Sequence, residues 1–259
     1  MSAAAKRRID LNCDMGEILS AIADGTQEAL MRSITSVNIA CGGHAGDEDT
    51  MRATVEQAMR LSLAIGAHPG YSDRENFGRV EMKLTAEEVA DLVFEQVRTF
   101  ARIAESFGAR VVHVKPHGAL YNQAARDREL AGAIARGVAR WSREVVLVGL
   151  AGSSMLEVFR EAGFVVAAEA FVDRRYEADG TLRSRKFADA LITDPEEAAR
   201  QALHITQKSC VIACDGGEVR VQADTICIHG DTPSAPMIAA AVSHKLRESA
   251  ILLHALSRG

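Results

Sequence analysis

Aromatic side chains are scarce in this chain, at 5% of 259 residues with a single tryptophan. Ala, Val, Leu and Ile supply the apolar bulk instead, which suits a buried parallel sheet flanked by helices better than a β-sandwich. Long apolar runs are missing as well. None reaches the roughly 18 residues that a membrane span requires, and Met1–Arg8 holds no apolar stretch of the kind a signal peptide needs. The 5 cysteines are odd in number and irregular in spacing. Cys210 and Cys214 have no second pair to complete a structural zinc site, so free thiols in a reducing compartment are expected. A cytoplasmic protein without a membrane segment follows. Basic charge is also short: the net charge is -5 and the pI about 5.9. Lys6-Arg7-Arg8 is the one basic cluster, and it reads as a solvated flank rather than a nucleic-acid surface.

What is present is a core. Hydrophobic residues make up 47% of the chain, and its length is that of one α/β barrel, so residues 1–259 read as a single domain. Short β-branched runs occur at Arg8–Cys13, Ser36–Ala40, Leu63–Ala67, Val111–Lys115, Val145–Gly149, Val165–Ala170 and Thr225–His229. Helical patterns lie between most of them. Thr85-Ala-Glu-Glu88 is a capping box, followed by an apolar face from Val89 to Phe107. Asp194 before Pro195 marks another helix start, and a last helix is expected from about Pro236 to Ala255. Strands alternating with helices imply parallel pairing and right-handed crossovers. A seven-stranded parallel β/α barrel fits best, with an open doubly wound sheet as the alternative. Cys210–Ala223 breaks the rhythm, and its Asp215-Gly-Gly217 turn predicts a small hairpin inserted before the last barrel strand.

In parallel α/β folds the C-terminal ends of the strands carry the site. Side chains two apart on a strand share a face, so Asp10, Asn12 and Asp14 form one set, and His113, Lys115 and His117 another. Later strands give Glu169, Phe171 and Asp173, with Arg174 and Arg175 following, and then Cys227, His229 and Asp231. Asn38 and His44 end the second strand, and His68 ends the third. Each residue alone has a plain structural explanation: a satisfied core histidine, a polar barrel layer, a turn at Asp14-Met-Gly-Glu17, or solvated arginines. Their recurrence at the same end of five strands is what points to a pocket.

Carboxylates and imidazoles together supply acid and base groups, and Lys115 could stabilise an oxyanion or bind a carboxylate or phosphate. Asp14 with His44 and His117 would make an open divalent-metal site, although no HExxH spacing supports it. Nucleophile and nucleotide motifs are absent: there is no GxSxG, Walker A or GxGxxG. Gly149–Ser154 reads as a strand-to-helix turn with serine as helix cap, and Cys41 as a buried thiol.

The blocks Asp10-Leu-Asn-Cys-Asp-Met-Gly-Glu17, Asn38-Ile-Ala-Cys-Gly-Gly-His-Ala-Gly-Asp47 and Gly66-Ala-His-Pro-Gly-Tyr-Ser-Asp73 resemble the LamB/YcsF family. So do Val114-Lys-Pro-His-Gly-Ala-Leu-Tyr-Asn122, Glu169-Ala-Phe-Val-Asp-Arg-Arg-Tyr176 and Cys227-Ile-His-Gly-Asp231. The resemblance implies a barrel of the glycoside hydrolase/deacetylase type. It also implies ATP-dependent opening of 5-oxo-L-proline to L-glutamate together with 5-oxoprolinase subunits B and C. ATP would be a co-substrate, its site on or shared with those partners. The chain departs from the family after Glu17, where Ile18–Asp24 replaces a glycine-rich loop, and at Gly43 and Gly70, where Phe and Ser are common.

Asp14, His44, His68 and His117 are therefore expected as the acid/base cluster, with Lys115 as anion stabiliser. Asp10, Asn12, Asn38, Glu169, Asp173, Arg174, His229 and Asp231 are expected to line the substrate site. Two alternatives stand beside this reading: a metal-dependent deacetylase or amidohydrolase, and a non-catalytic subunit that binds a small acid. A homo-oligomer is left open.

Overall fold

The computed structural model describes residues 7–257, so Met1 to Lys6 of the N-terminal flank lie outside the described residues. The strands are β1 (Arg8–Met15), β2 (Ser36–Ala40), β3 (Ala64–His68), β4 (Val111–Val114), β5 (Val146–Leu150), β6 (Val165–Phe171), β7 (Cys210–Ile212), β8 (Glu218–Arg220), β9 (Thr225–Ile228) and β10 (Leu252–Leu253). β1 through β6 pair in sequence order, and β9 pairs in parallel with both β6 and β1. That double pairing closes a seven-stranded parallel barrel, and the open-sheet alternative falls away. β7 and β8 form the expected antiparallel hairpin, with Cys210 opposite Arg220. Gly216 takes a positive φ of 87° in its turn, a conformation glycine adopts without steric cost.

The helices are α1 (Leu19–Ala23), α2 (Thr26–Met31), α3 (Glu48–Arg60), α4 (Ala86–Ser106), α5 (Gly118–Ala124), α6 (Arg128–Trp141), α7 (Ser154–Glu161), α8 (Pro195–Leu203) and α9 (Ala235–Glu248). α4 begins at the capping box, with the Thr85 side chain accepting from the Glu88 amide and the Glu88 carboxylate accepting from the Thr85 amide. Asp194 caps α8 by accepting from the Glu197 amide, with Pro195 in the first turn. Along β1 the alternation sorts two environments. Ile9, Leu11 and Cys13 join the apolar core, whereas Asp10, Asn12 and Asp14 bond to polar partners on neighbouring strands.

Two expectations change. The last helix stops at Glu248, because Ala250 adopts a positive φ of 59° and the Ile251 amide bonds back to Leu246. The chain then pairs Leu252 with Arg8 as β10. Ser153 does occupy the cap position of α7, but its hydroxyl donates to the Leu150 carbonyl at 2.7 Å and caps no helix amide. All five cysteines are unpaired. Among the described residues no helix is long and apolar enough to cross a membrane.

Candidate active site

The parallel strands end on one rim, and most of them carry a polar side chain where the chain leaves. Asp14 lies at the end of β1, His68 ends β3, and Lys115 and His117 follow β4. Gly16, at a φ of 72°, turns the chain immediately after β1, which brings Glu17 back over the mouth. His44 comes from the loop after β2.

Lys115 is the centre of one half. Its ammonium is buried and lies 2.9 Å from Asp14 Oδ1 and 2.9 Å from Glu169 Oε1, with Cys227 Sγ at 3.1 Å. The Phe171 ring closes one side, its centroid 5.5 Å from Nζ. Burial would favour the neutral amine, but the carboxylates of Asp14 and Glu169 outweigh it and hold the Lys115 pKa well above its ordinary value. Burial likewise opposes ionisation of Asp14, and the charges of His68 and Lys115 overcome it, keeping that carboxyl well below the usual range. Asn38 donates to both Asp14 Oδ1 at 2.8 Å and Asn12 Oδ1 at 2.7 Å. Asn12 in turn donates to Glu169 Oε1 at 3.0 Å and to Thr225 at 2.7 Å.

The other half is a group of imidazoles around a carboxylate. His68 Nδ1 donates to the Lys115 carbonyl at 2.7 Å, and His117 Nε2 donates to the Phe77 carbonyl at 2.9 Å. The remaining nitrogens, His68 Nε2 and His117 Nδ1, face each other at 3.0 Å. Glu17 Oε1 lies 3.2 Å from His117 Nδ1 and 2.8 Å from His44 Nε2. Although burial disfavours its charge, hydrogen bonding and charge from His117 and bonding from His44 carry the Glu17 pKa far below the ordinary carboxylate value. Burial dominates at His44 and lowers its pKa to about 4, so the ring is neutral near pH 7.

Of the thirteen residues expected from sequence, Asp14, His44, His68, Lys115 and His117 meet here, joined by Asn12, Asn38 and Glu169. Asp173 and His229 adjoin the Lys115 half: Asp173 accepts from the His229 amide at 2.8 Å and from Thr232 at 2.7 Å, and His229 Nδ1 lies 3.0 Å from it. The His229 ring stacks on Phe171, and its donors come within 4.8 Å of those of Asp14 and Cys227. Asp231 sits on the rim between Arg79, at 2.5 Å, and Arg185, at 3.1 Å. Arg174 is buried beside them and donates to the Arg183 carbonyl at 2.6 Å, while burial and the nearby Arg185 lower its pKa to about 10. Asp10 is on the right face but too deep. It accepts from Ser36 at 2.5 Å and from Thr35 at 2.7 Å, four residues and so roughly 13 Å of strand from Asp14. Arg175 pairs with Glu197 at 2.8 Å on the outside.

Glu17 is the main site residue that strand periodicity does not reveal. Its signal in the sequence is Gly16, whose turn decides where the next side chain points. His113 lies on the face that alternation assigns it and serves packing. It bonds Asn38 Oδ1 at 2.7 Å and sits so closely on β3 that a Cβ at Gly66 would lie 2.1 Å from its Nε2. At the two departures space is short for different reasons: a Cβ at Gly43 would lie 2.6 Å from Gln96 Nε2 and 2.7 Å from the Gly70 carbonyl oxygen, and one at Gly70 would lie 2.8 Å from His44 Nδ1. Beside Asp14 and Glu17 a cleft lined by Ile18, Ala21, Gln27 and Gly230 leaves about 20 Å³ for the centre of a water-sized molecule.

Comparison with known proteins agrees with this architecture. The chain is 51% identical over 243 residues to the 5-oxoprolinase A subunit of Chloroflexus aggregans, spanning 94% of this chain and 96% of the relative. It superposes on the lactam utilization protein from Thermus thermophilus with a TM-score of 0.89 at 42% identity, covering 96% of this chain and 100% of the other. A family 4 carbohydrate esterase from Streptomyces lividans shares the fold alone, with a TM-score of 0.51 and 9% identity over 98% of this chain and 95% of the other. The LamB/YcsF family matches residues 9–258, and the chain belongs to that family.

Proposed function

We propose that this chain is the lactam-handling component of a 5-oxoprolinase, acting with partner subunits B and C in the ATP-dependent opening of 5-oxo-L-proline to L-glutamate. The observation that carries the reading is the meeting of Asp14, His68, Lys115 and His117 on one rim, in a chain half identical to a 5-oxoprolinase A subunit. A five-membered lactam is unstrained and resonance-stabilised, so its opening needs an activated carbonyl. The Lys115 ammonium would stabilise the oxygen on which charge develops. The His68, His117 and Asp14 group would take a proton from water and return one to the leaving ring nitrogen. Arg79, Arg174 and Arg185 on the rim outnumber Asp231 and offer forks for the substrate carboxylate. With no Walker A loop, ATP would be held on or shared with the partners.

The test is glutamate release from 5-oxoproline and ATP in mixtures from which each of the three proteins is omitted in turn. Release that requires this chain and is lost with His117→Ala supports the reading; none from a folded, complete mixture overturns it. A metal-dependent amidohydrolase or deacetylase is the second reading. One observation favours it: Glu17, His44, His68 and His117 bring donor atoms within 4.8 Å of one another. Activity lost to a chelator and restored by zinc or manganese would select it.

A further inference from the structure

As neutral imidazoles, His68 and His117 carry fewer protons than their contacts require. A neutral imidazole has one N–H. His68 donates its own to the Lys115 carbonyl and His117 to the Phe77 carbonyl, since a carbonyl can only accept. The two nitrogens that face each other at 3.0 Å are then both lone pairs. Glu17 Oε1 points to the same place, 3.2 Å from His117 Nδ1 and 3.8 Å from His68 Nε2, and Asp14 Oδ2 lies 3.4 Å from His68 Nε2. Four acceptors thus converge in a buried site. A proton shared between the two rings would satisfy that one pair. A cation satisfies all four.

We propose a divalent-metal site held by His68 Nε2, His117 Nδ1, Glu17 Oε1 and Asp14 Oδ2, with His44 outside the coordination sphere. Ligand bonds of roughly 2.0–2.1 Å at tetrahedral angles put donors about 3.3 Å apart; His68, His117 and Glu17 lie 3.0–3.8 Å from one another, and Asp14 Oδ2 joins them through His68 at 3.4 Å. Charge fits as well. Lys115 already faces Asp14 and Glu169, which leaves Glu17 buried with only imidazoles for partners.

Ring orientation decides against His44. A bound ion lies near the plane of each ligating imidazole, along the nitrogen lone pair. The His44 and His117 rings are parallel to within 3° with centroids 3.6 Å apart, so one ion cannot lie in both planes. His68 stands at 88° to His117, an angle at which the two planes intersect. His44 instead donates Nε2–H to Glu17 at 2.8 Å, the outer-sphere contact that orients a ligating carboxylate. The cleft beside Asp14 and Glu17 borders the carboxylate side of the site. Two nitrogens and two oxygens suit zinc, and also manganese or cobalt. The donor set does not depend on the lactam reading, and an ion held on these lone pairs would take the place of the His68, His117 and Asp14 proton relay.

The test reads binding rather than turnover, so its failure is separable from failure of the glutamate assay. The whole chain is stripped with a chelator, dialysed against Zn²⁺ for elemental analysis, and titrated with Co²⁺ for its visible spectrum. One equivalent is expected, with nitrogen and oxygen bands only. His68→Ala and Glu17→Gln should abolish the cobalt bands, whereas His44→Ala should keep them at an affinity lowered about 10–100-fold. Circular dichroism confirms that each variant is folded. No uptake by folded wild type overturns the site in favour of a shared proton. A sulfur-to-cobalt charge-transfer band overturns it in favour of Cys227 with Asp14 and His229, whose donors also lie within 4.8 Å. Loss of the bands in His44→Ala overturns the assignment of ligands.

Discussion

Lys115 is buried, and an ammonium removed from water survives only against opposite charge. Here that charge is Asp14 and Glu169, each at 2.9 Å. Lys115→Met removes both a carbonyl-stabilising cation and the counter-charge of two buried carboxylates. It should lower kcat for glutamate release by about 10²–10³-fold and cost about 3–5 kcal/mol in urea unfolding; a variant of wild-type stability and rate would show that the ammonium serves neither role. Asp173 offers a pH signature. Burial would raise its pKa, but the charge and hydrogen bonds of His229 and the Thr232 hydroxyl lower it instead. A carboxylate with a depressed folded pKa contributes stability that is complete above its unfolded value, near about 4, and lost as pH falls through the folded value. Wild type should therefore lose urea stability more steeply than Asp173→Asn below pH about 4, while the variant is the weaker at pH 7. Parallel acid profiles would remove Asp173 as the cause. At this scale, period-two alternation makes Asp14, Lys115 and His68 legible, because it tells which way a side chain points. It does not tell depth, so it groups Asp10 with a site that Asp10 only underlies. It also lapses at a turn, so it is blind to Glu17, one residue past Gly16.

Among the elements, the strands are legible to within one or two residues because each is a short apolar run bounded by turn signals. The end of α9 is not, since the apolar pattern continues through Ile251 and only the backbone at Ala250 reveals the stop. Helix packing adds a constraint that no periodicity discloses. α4 and α6 approach so closely at Gly137 that a Cβ there would lie 2.5 Å from the Ala90 carbonyl oxygen. Gly137→Ala gains helix propensity but forces the helices apart. A net loss of about 1–3 kcal/mol is expected in urea unfolding; an unchanged or raised midpoint would show that the pair can separate freely. α1 is the opposite case. It has no buried residues, yet the preceding Ile18 and its own Ala21 line the cleft beside Asp14 and Glu17. Amides of Leu19–Ala23 should exchange fast in hydrogen–deuterium measurements and slow when 5-oxoproline is added with ATP and the partner subunits. Exchange that is already slow without them would mean that this segment is not the moving side of the cleft.

Closure is the property of the whole molecule that the sequence hints at least. Strand count suggests seven staves, but nothing in the local pattern states that β9 must lie between β6 and β1, because that contact spans more than two hundred residues of chain. Once made, it leaves the barrel without an internal edge, and its wall should open as one unit rather than strand by strand. The cysteines report on this. Cys13, Cys41 and Cys227 are buried in the barrel wall or at its mouth, whereas Cys214 is exposed on the hairpin. Burial raises the Cys41 thiol to about 12 and those of Cys13 and Cys227 well above their ordinary value, so none forms thiolate readily in the native state. With a thiol reagent at neutral pH, Cys214 should react within the mixing phase and be silenced by Cys214→Ser. Cys210, buried in the hairpin, is free to follow at its own rate. The three barrel thiols should then react with one shared rate constant, equal to the global unfolding rate measured in urea and extrapolated to water. Separate rates for Cys13 and Cys227, which lie on the paired strands β1 and β9, would mean that the seam opens on its own and that closure contributes little to the cooperativity of the fold.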